Sequence, residues 1–177
     1  MRVFRKSTPE DIEAMMTIVT DGQALLKSRG IDQWQKGYPN RDLLIADVRE
    51  GIGYVVTEEE RVAAMCAVTF TDEESYRKLD EGAWLTPDGS LYATIHRGAV
   101  ARACQGKGYP SFLFSEVGKL AKARGAESVR ADTHPQNIAM QKALEKAGFV
   151  RCGVLTLIGG SEDGDLRIGY EKRVSAF

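Results

Sequence analysis

Cysteine is scarce in this chain. Cys66, Cys104 and Cys152 are the only three in 177 residues, and no two stand in CxxC spacing. An odd count without that spacing argues against both a disulfide framework and a zinc site, and scattered free thiols fit a reducing compartment. Charge imbalance is missing too: 24 Lys and Arg face 25 Asp and Glu, for a net charge of -1. No global field draws such a chain to nucleic acid or to an anionic membrane, so neither is expected as a partner. Long apolar runs are absent, and no window approaches the roughly 18 consecutive apolar residues of a membrane helix. The opening MRVFRKSTPEDIEAMM interrupts its apolar character at Glu10, Asp11 and Glu13, unlike a secretory h-region. A cytoplasmic protein is expected. Repeats, low-complexity tracts and linker-like composition shifts are also lacking, so residues 1–177 read as a single domain large enough for a substantial core. No GxSxG elbow or metal-ligand spacing appears, and no metal is expected.

What is present is alternating punctuation and periodicity. Residues 2–6 read as a first strand. Thr8-Pro9-Glu10-Asp11 is a helix start, with a capping hydroxyl, a proline suited to the first turn and two carboxylates at the positive helix end. Ile12, Met15, Met16 and Val19 continue it at helical spacing toward a stop near Gly30. Asn40 caps a second helix carrying Leu43, Leu44 and Val48. Residues 53–57 and 62–70, separated by Glu58 to Arg61, predict an antiparallel hairpin. Residues 71–90 are polar and read as irregular; residues 91–100 (LYATIHRGAV) are the next strand. A helix from Pro110, a strand at 128–133, a helix at 137–147 and a closing strand pair at 150–158 and 166–174 complete the order βααβββαβαββ. This is an α/β (α+β) pattern with a mixed sheet and helices on its faces.

The chemistry-bearing segment is Gln105 to Pro110 (QGKGYP), between the strand ending near Val100 and the following helix. Gly106 and Gly108 permit positive φ and close approach of a ligand to the backbone. The helix start supplies unpaired N–H groups and partial positive charge, a combination suited to phosphate, and Lys107 adds a movable cation. A plain strand-to-helix turn is the alternative. A Walker loop is excluded because GxxxxGK[ST] is absent. A dinucleotide fingerprint fits poorly, with Ser111 where glycine or alanine belongs and a hairpin ahead of the motif.

The combined pattern resembles the GCN5-related N-acetyltransferase (GNAT) family. The family's cofactor motif, (Q/R)xxGx(G/A), lies between the fourth strand and third helix and matches Gln105-Gly106-Lys107-Gly108-Tyr109-Pro110 at all but the last position. Pro110 replaces the usual small residue and removes one donor. A second family element, an asparagine opening the next helix before a Gly-Phe pair, matches Asn137 and ALEKAGF (Ala143 to Phe149). The resemblance spans nearly the whole chain. It implies a GNAT-type, mostly antiparallel sheet with a central splayed parallel strand pair, and an acetyl-CoA-dependent transfer of an acetyl group to a primary amine. Backbone groups at Ala99 and Val100 would pair with the pantetheine like an added strand. Amides from Gly106 to Ser111, with Gln105 and Tyr109 in the same segment, would hold the pyrophosphate. Asn137 and Met140 would line the other side of the cofactor arm.

Direct transfer needs a base, and His96 is the first candidate, since alternation puts Tyr92, Thr94, His96 and Val100 on one face and an imidazole ordinarily titrates near about 6.5. The alternative is a hydrogen-bonded strand residue. The family's tyrosine acid falls on Leu144 here, which leaves Tyr170 or bulk water to protonate the thiolate. His134 is a second candidate, with a turn role as its alternative; Cys104 as an acyl carrier has no base beside it. The loop after the first helix would form one lip of the acceptor site, with Trp34 and Tyr38 as aromatic lining and Glu73 drawing a cationic amine; core packing and a solvated face are the respective alternatives. The acceptor is a small-molecule or peptide amine, and a homodimer stays open. Two other readings are retained: a non-catalytic acyl-CoA-binding or sensing module on the same fold, and a nicotinamide-dependent oxidoreductase.

Overall fold

The computed structural model describes residues 1–177. In chain order its elements are β1 (Arg2–Lys6), α1 (Ile12–Ser28), α2 (Arg41–Glu50), β2 (Gly53–Glu58), β3 (Arg61–Thr69), α3 (Glu74–Arg77), β4 (Glu81–Gly82), β5 (Tyr92–Val100), α4 (Tyr109–Ala123), β6 (Ser128–Thr133), α5 (Ile138–Lys146), β7 (Val150–Thr156) and β8 (Leu166–Arg173). The expected order is present, with α3 and β4 added inside residues 71–90. Composition marked that stretch as irregular because a four-residue helix and a two-residue strand carry no periodic signal. Tertiary anchors form them instead: Tyr76 is 1% exposed and stacks on Trp84 and Tyr92. β4 lies against β7 at Gly82↔Gly153, where a Cβ on Gly153 would stand 1.8 Å from the Glu81 carbonyl oxygen.

The chain forms two compact units, Met1–Val68 with His96–Leu113, and Thr69–Ile95 with Phe114–Phe177. In the first unit, β1–β2 and β2–β3 pair antiparallel, and β3 has β5 as its other neighbour. The β2–β3 hairpin turns through Glu59 and Glu60, both at positive φ (50° and 65°), the backbone signature of a type I′ turn. A capping box between Thr8 and Asp11 precedes α1, and the Asn40 side chain accepts from the Leu43 amide to open α2. The stripe Ile12, Met15, Ile18 and Val19 of α1 buries against Leu44, Val55 and Met65, with Ala99 and Ala101 packed onto the same cluster.

In the second unit, β5 and β6 run parallel in register from Tyr92↔Ser128 to Ile95↔Ala131. The β6–β8, β7–β8 and β4–β7 pairs are antiparallel. Pairing is thus mostly antiparallel around one parallel pair, the expected fold class. Phe114 of α4 meets Phe149 edge-on, and Phe149 meets Phe177 the same way. Asn137 opens α5 by accepting from the Met140 amide, and Leu144 of that helix is fully buried. A buried network centres on Glu171 of β8. Its carboxylate accepts from Thr86, Ser128 and Arg130 and from the Leu85 amide, so it ties the 83–90 segment to β6. No helix is long and apolar enough to cross a membrane.

Candidate active site

The glycine segment emerges as a surface loop ahead of α4. Gly106 and Gly108 adopt φ of 75° and 78°, and a Cβ at Gly106 would meet nothing within 4 Å. Their requirement is therefore conformational; the space beside Gly106 is open, and a Cβ at Gly108 would stand 3.9 Å from Arg2 Nη1. The loop's own hydrogen bonds run from Lys107 N to Cys104 O and from Phe112 N to Gly108 O. The N–H groups of Gly106, Gly108, Tyr109 and Ser111 have no acceptor within the protein, while Pro110 has none to offer. Four unpaired donors at the start of a fifteen-residue helix are an arrangement whose chemistry suits an anion.

β1 and β2 hold this loop. The Arg2 guanidinium donates to the Lys107 carbonyl at 2.8 Å and lies 4.1 Å over the Tyr109 ring. Drawing that carbonyl toward Arg2 turns the attached Gly108 N–H the opposite way, because the peptide unit is planar. Tyr109 is 2% exposed, and its hydroxyl donates to Glu58, which in turn sits 3.5 Å from Arg2. That hydrogen bond holds the Glu58 carboxyl below, and the Tyr109 phenol above, its ordinary pKa. The Tyr109 side chain is thus an anchor, and its amide is left without an acceptor in the protein.

On β5, His96 is half-buried and close enough for its charge to act on Asp47. The next residue, Arg97, has φ 54°. A left-handed non-glycine residue costs about 1–2 kcal/mol. The alternation expected to align His96 with Val100 presumes an unbroken strand, and Arg97 interrupts it. Its guanidinium donates to both Asp47 oxygens, at 2.9 and 2.7 Å, and to the Tyr38 hydroxyl at 3.1 Å. The two charged side chains are 9% and 4% exposed. Burial pushes the Asp47 carboxyl up in pKa, against the pull of Arg97; the bidentate contact with an always-protonated guanidinium keeps it an anion at neutral pH. Cys66 lies near this pair, with burial pushing its thiol up to about 12, so it is not a nucleophile.

The comparisons with known proteins agree with this architecture. Residues 20–149 match the family described as Acetyltransferase (GNAT). The chain belongs to the GNAT acetyltransferase family. A GNAT acetyltransferase from Streptococcus agalactiae 2603 is 33% identical, with 97% of this chain and 95% of that chain covered and a TM-score of 0.85. One from Listeria monocytogenes 4b F2365 is 18% identical over 97% and 94%, with a TM-score of 0.70. A Salmonella typhimurium protein, solved with its cofactor acetyl-CoA, is 18% identical over 98% and 94%, with a TM-score of 0.65. The last two share the fold. No curated protein matches the chain.

The other residues singled out from sequence fall as follows on this GNAT fold. Trp34, expected at the acceptor lip, is 9% exposed and buried with Leu26 and Ile31. Tyr38 stays half-buried in the same loop, whose Tyr38 and Pro39 carbonyls accept from Gln23 of α1. Glu73 precedes α3; its carboxylate accepts from Thr69 at 2.6 Å and its amide donates to the Tyr92 hydroxyl. Tyr170 is fully buried and its hydroxyl donates to Glu145, with burial and that carboxylate pushing it up to about 12. His134 Nδ1 accepts from the Gln136 amide, a turn contact. Cys104 is half-buried beside the loop and supplies its carbonyl to Lys107 N. No group of three or more His, Cys, Asp or Glu side chains is arranged to hold a metal.

Sequence reading passed over Asp47, Arg97, Arg2 and Glu58. A signal existed for the first: Asp47 lies on the apolar stripe of α2 beside Leu44 and Val48, a place where an acid needs a partner. Arg2 and Glu58 carry no such signal, since both look like ordinary charges on strand ends.

Proposed function

We propose that this chain is an acetyl-CoA-dependent N-acetyltransferase that moves an acetyl group directly to a primary amine of a small molecule or peptide. The reading rests on the cradle of unpaired amides at Gly106, Gly108, Tyr109 and Ser111, whose geometry suits a pyrophosphate. Membership of the GNAT family supports it, as does the acetyl-CoA held by the Salmonella relative of the same fold. Gln105 to Ser111 hold the pyrophosphate, with the Lys107 ammonium as a mobile counter-charge and Pro110 contributing no donor. Ala99 and Val100 offer strand-like backbone groups to the pantetheine, and Asn137 and Met140 are assigned to the same cofactor arm.

The thioester supplies the activated acetyl group. The amine nitrogen bonds to the acetyl carbon, the C–S bond breaks, and CoA leaves as thiolate. The amine's proton goes to His96, and a backbone N–H near Val100 polarises the carbonyl oxygen. Tyr170 is the assigned acid; with its pKa raised it keeps its proton throughout the working range, and donation requires leaving Glu145. Tyr38 and Glu73 are assigned to the acceptor, with Trp34 supporting the Tyr38 loop from the core.

Thermal shift measurements with acetyl-CoA, CoA and NAD test this reading. A ligand at about 100 times its Kd stabilises by about 2.7 kcal/mol. For a chain of this size that raises Tm by roughly 5–10 °C. Both CoA compounds are expected to act and NAD is not; no shift with either CoA compound would overturn the assignment. A second reading, a non-catalytic acyl-CoA-binding module, is favoured by one observation: buried Leu144 occupies the family's tyrosine position. An amine panel read by release of free thiol separates the two.

A further inference from the structure

We propose that Arg97 is a positioning residue: Asp47 and Tyr38 hold it in a left-handed turn that sets where the last backbone groups of β5 point. The inference rests on the acetyl-CoA reading for its consequence and on geometry alone for its mechanism. Arg97 is the one non-glycine residue of β5 at positive φ. Nothing in its own chemistry favours that conformation, so the surroundings must impose it. They do so from two elements. Asp47 of α2 takes two donors from the guanidinium, and Tyr38, on the loop between α1 and α2, accepts a third. That loop is itself tied to α1 through Gln23, which donates to the Tyr38 and Pro39 carbonyls. Beyond the turn, Ala99 and Ala101 pack onto the α1–α2 core cluster, and the Ala101 amide donates to the Ala63 carbonyl at 2.8 Å.

The strand is therefore held at the turn by the Arg97 side chain and beyond it at Ala99 and Ala101, so the turn lies directly after His96 and one residue, Gly98, ahead of Ala99 and Val100. A buried Arg–Asp pair is a poor source of net stability, because apolar residues of similar volume commonly do as well. What it supplies here is direction. A guanidinium fork fixed by two carboxylate oxygens permits one orientation of the Arg97 side chain. Through it the backbone is held in a conformation that an extended strand would otherwise abandon.

The test compares Arg97→Ala with Arg97→Gly in the full chain. Both lose the ion pair and leave Asp47 alone, so both should show similar losses in Tm. Glycine, however, enters positive φ without steric cost, whereas alanine does not. Isothermal titration with acetyl-CoA is expected to show Arg97→Ala weakened about tenfold or more, equivalent to about 1.4 kcal/mol. Arg97→Gly should bind at least about fivefold tighter than Arg97→Ala. Equal affinities for the two variants, or wild-type affinity in Arg97→Ala, would overturn the proposal. Should neither variant fold, Asp47→Asn keeps the shape and removes the charge. Hydrogen exchange without ligand should then speed up across residues 97–100, KM for acetyl-CoA should rise, and kcat should fall with it because the backbone near Val100 also faces the thioester carbonyl. Unchanged exchange in Asp47→Asn would refute the clamp. Exchange that responds in a protein binding no acetyl-CoA would instead sink the cofactor reading and leave the clamp standing.

Discussion

Truncating Arg2 to alanine removes a side chain that contacts no proposed ligand, yet it should weaken acetyl-CoA binding. Arg2 donates to the Lys107 carbonyl at 2.8 Å and covers the Tyr109 ring at 4.1 Å. A hydrogen bond from a charged donor is worth about 1.5–3 kcal/mol when well buried. The Arg2 side chain is 29% exposed, so the lower end applies, and part of that is lost to solvent screening. The cation–π contact adds about 0.5–1 kcal/mol at such a position. Together they bias the loop toward its observed form by roughly 1–2 kcal/mol, the form in which the Gly108 and Tyr109 amides have no acceptor in the protein. If binding needs that form, the Kd for acetyl-CoA rises about 5- to 30-fold in Arg2→Ala. The global Tm should move little, since β1 keeps its ladder with β2. Calorimetric titration at fixed ionic strength measures the first quantity, and hydrogen exchange of residues 104–109 reports loop order independently. An Arg2→Ala protein that binds within twofold of wild type, with unchanged exchange in the loop, would show that the cradle is held by its glycines alone.

Glu171→Ala removes the carboxylate that satisfies Arg130, Thr86 and Ser128. Orphaning a buried cation costs about 3–5 kcal/mol, or roughly 6–20 °C of Tm by differential scanning calorimetry. Burial pushes the Glu171 carboxyl up, but the hydrogen bonds from Ser128 and Thr86 and the charge of Arg130 outweigh it and hold the pKa below the ordinary value. Its stabilisation is therefore fully present above the unfolded value near about 4.3 and is lost as pH falls through the lower folded value. Wild type should lose stability over that acid window more steeply than Glu171→Ala, and parallel curves in denaturant titrations would contradict the sign. His96→Ala should abolish the acid-side limb of the kcat/KM profile on a good amine; an unchanged profile would remove His96 as the base. Tyr170→Phe should lose about 0.5–1.5 kcal/mol of stability with its bond to Glu145. If Tyr170 is the acid, kcat also falls at constant acetyl-CoA affinity, and full turnover would hand the thiolate's proton to water.

Much of this molecule is legible residue by residue. Asn40 and Asn137 open helices because a side-chain oxygen reaches an amide three residues on, and both capping bonds are present. The hairpin at Glu58 to Arg61 follows from two apolar runs separated by four polar residues, and the strands extend one residue into that gap from each side to leave Glu59-Glu60 as the turn. The turn in QGKGYP is legible for the same reason: its positive-φ glycines and the helix start act over a handful of neighbouring positions. The features that aim the candidate site are of another kind. Arg2 meets Lys107 across 105 positions, Asp47 meets Arg97 across 50, and Tyr109 meets Glu58 across 51. Trp34 could equally have lined a lip or filled the core, and burial beside Leu26 and Ile31 decided it. Arg97 shows the division most sharply. No local preference sends an arginine in a strand to positive φ, so only partners brought from α2 and the preceding loop can impose the turn. Local chemistry, set by chain neighbours, marks the glycine turn and the helix start that the proposed cofactor site uses. Their orientation depends on contacts whose energy exists only once distant segments have packed together.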